Sequence, residues 1–116
     1  MHELEAFTYF HDWHIDVMAV TNGGHDLTLS LFFKDRRATV TFAGTSRCVV
    51  EHFGLVNIVY DITILEPGTS SHDTALKKLQ CSDCFLKSQA NQLALVASSA
   101  GVEIVVEFAA LRIESV

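Results

Sequence analysis

No basic segment followed by an apolar run opens this sequence. It begins Met1-His2-Glu3-Leu4-Glu5-Ala6, which does not read as a secretory leader. Every longer apolar stretch is interrupted within a few residues, so no helix able to span a bilayer is expected. Cysteine is scarce, with three in all, and an odd number argues against a disulfide framework. Reduced thiols in a cytoplasmic setting are the expectation. Positive charge is also in short supply: 8 Lys and Arg stand against 14 Asp and Glu, a formal net charge of -6. An acidic surface repels phosphate backbones and anionic lipid, so neither nucleic acid nor membrane is an expected partner. The same charge suits a basic partner, and it also serves plain solubility.

Signatures of chemistry are missing as well. Gly23-Gly24 is too short to cradle phosphate and no Lys-Ser/Thr follows it, which excludes a phosphate loop on spacing. Gly44-Thr45-Ser46-Arg47 lacks a glycine on both sides of its serine, as a nucleophile elbow would need. There is no internal repeat and no low-complexity segment. No catalytic residue and no cofactor is assigned, and the chain is not expected to be an enzyme.

What is present is a period of two. The 116 residues are 49% hydrophobic and 19% charged, enough to bury one core and too few for two, so residues 1–116 read as a single domain. Eight Phe, Trp13, Tyr9 and Tyr60 supply bulky core groups. Leu27, Leu29, Leu31 and Phe33 alternate with Thr28 and Ser30, the mark of a half-buried strand. After the polar turn Lys34-Asp35-Arg36-Arg37, Ala38 to Phe42 alternates again, which predicts a hairpin of strands 26–33 and 37–43. The basic knot at its tip reads as a solvated turn. Upstream, Trp13, Ile15, Val17 and Ala19 share one face of a first strand, and Thr21-Asn22-Gly23-Gly24 turns into the next. Ser46 to Phe53 reads as a short strand or a connection. Val56 to Leu65 is a β-branched strand closed by Glu66-Pro67-Gly68. A short helix capped by Ser71 and ending near Leu79 follows, then a polar loop to Gln92. Leu93 to Ser98 and Val102 to Ile113 flank Gly101 as a last hairpin. Six to eight short strands with at most one helix predict a mainly β fold, an antiparallel sandwich or a partly closed barrel.

Two polar clusters carry possible chemistry. In an extended chain Asp12, His14 and Asp16 share a face about 6.5 Å apart. Two carboxylates and an imidazole can hold a divalent cation or move protons, yet the same pattern describes the solvent face of a first strand, so no metal is assigned. His11 beside Asp12 reads as a structural pair. Cys81-Ser82-Asp83-Cys84 is a Cys-x-x-Cys pair, but zinc wants about four ligands and no second pair exists. Cys48, His52 or His72 could complete a site only through folding. Asn57, at a strand start, reads as a residue that satisfies a turn or bulge.

The run Phe10-His11-Asp12, then a hairpin, Val40-Thr41-Phe42-Ala43-Gly44, Phe53-Gly54, Val56-Asn57-Ile58-Val59 and Asp61-Ile62 resembles the immunity protein 50 family of bacterial immunity proteins, partners of polymorphic toxins. Gly101 with its following strand, Phe108 and Arg112-Ile113 is similar too. The likeness implies a cytoplasmic binding protein that neutralises a toxin domain by contact, without catalytic residues of its own. Steering by a negative surface onto a basic cleft, held by buried aromatics, would suit that role. Exposed acids such as Asp12, Asp16, Glu51 and Asp61 are the expected partner-binding residues. A small metal- or ligand-binding β-barrel using Asp12, His14 and Asp16 is the alternative reading. Exposed edge strands would also allow a homodimer.

Overall fold

The computed structural model describes residues 10–80 and 92–115. The Cys81/Cys84 pair and the polar segment 81–91 lie outside them. Strands β1 (His14–Thr21), β2 (Asp26–Phe33), β3 (Arg36–Ala43), β4 (Arg47–Glu51) and β5 (Ile58–Leu65) precede helix α1 (Ser70–Leu79). Strands β6 (Gln92–Ala100), β7 (Glu103–Phe108) and β8 (Ala110–Ser115) follow it. All pairings are antiparallel, in the order β4-β7-β6-β5-β1-β2-β3-β8. The expected mainly β fold is what forms. No helix among the described residues is long and apolar enough to cross a membrane.

The register shows how this sheet folds over. β3 and β4 are separated only by residues 44–46, and they pair in succession with β8 and β7, which are separated only by Ala109. Ala43 faces Ala110 and Arg47 faces Glu107, so three residues of one strand oppose two of the other. Such a bulge bends a ribbon and increases its twist. Gly44 makes the bend possible: its φ is +64°, and a Cβ there would lie 2.9 Å from that of Ala109. Backbone bonds from Ala109 N to Ala43 O and from Ser46 N to Glu107 O, both 3.0 Å, hold the corner. The two edges of the sheet are therefore far halves of one ribbon, which curls the structure into a partly closed barrel. Opposite the ribbon, β1 meets β5 along a narrow seam. His14 and Ile58 form its Cα pair, and the amides of Asp12, Ile15 and Val59 donate across it at 2.8 Å.

Inside the curl, inward residues of both halves form one core. Leu29, Leu31, Val40 and Phe42 come from one side and Val59, Val96, Ile104 and Phe108 from the other, all fully buried. Phe42 and Phe108 meet edge to face at 5.1 Å, an arrangement favoured by the ring quadrupoles. A smaller cluster lies outside the barrel, where α1 sets Ala75 and Leu79 on Leu65, Leu93 and Val105. This second contact explains why Ile104, Val105 and Val106 are all buried, although a strand alternates its faces.

Three local expectations are corrected. The first strand does not keep one phase: the register shifts between Ile15 and Val17, so Val17 is 49% exposed while Met18 turns toward the core. One extra residue in a strand reverses every side chain after it. The helix begins one residue earlier than Ser71, and its cap is Thr69, whose hydroxyl accepts from His72 N at 3.2 Å. The hairpin tip is not simply solvated. Arg37 Nη2 donates to both carboxylate oxygens of Asp16, at 2.8 and 2.7 Å, and to Ser30 Oγ at 2.9 Å. Arg36 lies over Trp13 and Lys34 over Phe33, so the cations cover aromatic faces.

Candidate functional site

Between β4 and β5 the chain leaves the sheet for six residues, and five in a row, His52 to Val56, are exposed. Phe53 is 46% accessible, Val56 54%, and Leu55 wholly accessible at 105%. Three large apolar side chains within four residues are costly to hydrate, and a loop of this length would ordinarily be polar. Exposed apolar side chains grouped this closely make the loop the candidate contact surface.

The loop is held from behind by Asn57, 2% exposed. Its Nδ2 donates to Gly54 O at 2.8 Å, and its Oδ1 accepts from Gly54 N at 3.0 Å and from Val102 N at 3.1 Å. The amide thus closes residues 54–57 into a ring and ties it to the turn between β6 and β7. That turn approaches closely because residue 101 is glycine: with φ +86°, a Cβ there would lie 2.4 Å from Val56 O and 2.5 Å from Asn57 Oδ1. The expectation that Asn57 satisfies a turn holds, and the clamp it forms is what gives the apolar residues a fixed backbone.

The expected acidic residues are dispersed. Asp12 stands in the turn before β1 with φ +70°, and its side chain, 63% exposed, lies 3.6 Å from His11 Nε2. Its amide donates to Val59 O, which places it near the start of β5. There Tyr60, 58% exposed, meets the His11 ring edge-on at 5.4 Å. Asp61 follows on β5 and accepts from Thr63 Oγ1 at 2.9 Å. Asp16 is occupied by Arg37. Glu51 faces Glu103 across the β4–β7 ladder, a repulsive juxtaposition, and Lys78 Nζ sits between them at 3.1 and 2.5 Å. The hydrogen bond to Glu103, then that to Glu51, raises the Lys78 pKa above its usual 10.5.

For metal binding, Asp12, His14 and Asp16 do not converge. His14 stacks on Phe32, Asp16 serves Arg37, and no group of three His, Cys, Asp or Glu able to hold an ion occurs among the described residues. A hollow of about 200 Å³ lies outside the barrel under α1, floored by Leu65, Ala75, Leu95 and Val105 and rimmed by Thr74 and Lys78. Cys48 is a half-buried thiol whose pKa desolvation pushes up to about 11, so it is protonated and a poor nucleophile at neutral pH.

Glu107 is the anchor of the bent ribbon. Arg47 donates to its two oxygens from Nε and Nη2, each at 3.0 Å, and Ser46 Oγ donates to Oε1 at 2.5 Å. Arg47, then Ser46, holds the carboxyl below its usual 4.5 against the opposing effect of partial burial. Its stabilisation is present above that value and lost as pH falls through the depressed folded one. Glu107→Gln is expected to cost about 1–3 kcal/mol at neutral pH. The gap from wild type should narrow as pH falls below 4.5, as urea melts across a pH series would show.

Sequence reasoning missed Phe53, Leu55 and Val56 as surface residues. The available signal was an apolar run without alternation, broken by Gly54 and closed by Asn57. A scan against protein-family models returns no match to this sequence, and a search of curated proteins likewise returns none.

Proposed function

We propose that the chain is a binding module that docks a protein partner on the Phe53–Val56 loop. In this reading, which follows the resemblance to immunity proteins, the partner is a basic toxin domain neutralised by contact. The observation that carries the docking surface is the exposure of Phe53, Leu55 and Val56 on a backbone fixed by Asn57 and the Gly101 turn. A preorganised loop loses little conformational freedom on binding, and apolar anchors surrounded by a polar rim are where binding energy concentrates. The net charge of -6 favours a basic counterpart.

The test uses the product of the adjacent gene, co-expressed with this chain and titrated against it by calorimetry. A one-to-one complex that relieves growth arrest is expected. Leu55→Asp should weaken it by roughly 100-fold, the scale of a hot-spot residue, while leaving the melting temperature unchanged. A neighbour that does not bind, or a complex indifferent to Leu55→Asp, would refute the reading.

A further inference from the structure

The two edges of the sheet are not equally protected. Across β4, and across its partner β7, lies α1, with Lys78 joined to Glu51 and Glu103. β8 pairs with β3 on one side, and among the described residues no strand lies on the other. It carries no proline and no lysine, and its six residues pair with β3 without a register shift. These are the devices by which edges are usually kept from pairing. Its outward residues are Ala110, Arg112 and Glu114, while Leu111 and Ile113 are half-buried against the core.

This pattern is complementary to itself. When two copies of a strand pair antiparallel about a two-fold axis, residues equally spaced on either side of the axis face one another. An axis at Ile113 sets Arg112 opposite Glu114 of the second copy, twice. An axis at Arg112 or Glu114 would oppose like charges. Within one chain the two side chains stand only in a loose pair, Arg112 Nε to Glu114 Oε1 at 3.8 Å, with both well exposed, so their charges remain open to an outside partner. The same register brings Ile113 against its counterpart and extends the apolar inner face across the joint.

We infer that β8 is a homodimerisation edge, pairing with β8 of a second copy about a two-fold axis at Ile113. The apolar loop lies at the other end of the ribbon, beside the start of β7, so the dimer leaves both loops free. This inference stands apart from the loop's function.

Analytical ultracentrifugation of the wild-type chain across micromolar to millimolar concentration should show a species of twice the 12.8 kDa protomer mass. Arg112→Glu and Glu114→Arg should each raise the dimer dissociation constant by roughly 30-fold, because both facing pairs become repulsive. The double variant R112E/E114R should restore the dimer, which no simple loss of fold would do. Circular dichroism melts of all four proteins control for folding. A wild-type monomer at every concentration overturns the inference, as does a dimer that both single reversals leave intact or that the double reversal fails to rescue.

Discussion

Gly101→Ala is expected to destabilise the protein by about 4 kcal/mol, read from the midpoint of a urea melt. Two costs combine. A residue with a Cβ held at φ +86° is strained by about 1–3 kcal/mol. The new methyl would also stand 2.4 Å from Val56 O and 2.5 Å from Asn57 Oδ1, and overpacking a tight site costs about 1–3 kcal/mol more. The nearest obstacle is backbone, which cannot rotate away. The turn must lift off, and with it the bond from Val102 N to Asn57. A loss below about 1 kcal/mol would mean that the approach of the two loops is not tight.

Asn57→Ala is expected to cost about 3 kcal/mol. It removes both bonds that close the ring at Gly54 and the one that reaches Val102. The groups of Gly54 lie in an exposed segment and regain water. Val102 is fully buried, so its amide is left without a partner, at the full cost of desolvation. Asn57→Asp separates the contributions. A carboxylate still accepts from Gly54 N and Val102 N but repels Gly54 O, so the loss should be smaller than for alanine. Hydrogen exchange at residues 53–56 should quicken in both variants. Because the alanine at 101 collides partly with the Asn57 side chain itself, the double variant G101A/N57A should cost less than the sum of the two.

How far the sequence reveals these features depends on how local their causes are. The β2–β3 hairpin is plain because Leu27 to Leu31 and Ala38 to Phe42 alternate without interruption, and Lys34-Asp35 forms a short polar turn between the strands. The first strand misled after Ile15, since nothing in Asp16-Val17-Met18 announces the extra residue that turns Val17 outward. Thr69 capped the helix in place of Ser71, a choice between two hydroxyls that spacing alone does not decide. The function of Asn57 was legible in kind, because an amide at a strand start has few other uses; its second partner, Val102, was not. Nor was the ribbon, whose bend requires residues 44–46 to meet Ala109, more than sixty positions away. Of the acids expected at the contact, Asp16 and Glu51 are tied to Arg37 and Lys78. Ion pairs between residues far apart in sequence leave no periodic trace. The apolar loop is not legible in the sequence because exposure is a property of the assembled surface.

The bent ribbon also orders events in time. β1, β2 and β3 are neighbours in sequence as well as in space, so their loops close at little entropic cost. β3 and β4 must instead await strands that lie more than fifty residues downstream, and contacts of such long range form slowly. On a ribosome, Phe42 has no Phe108 to rest against until nearly the whole of this sequence has emerged. Until then the nascent meander shows water an uncovered row of leucine and phenylalanine, which makes the last two strands the natural point at which a chaperone would let go.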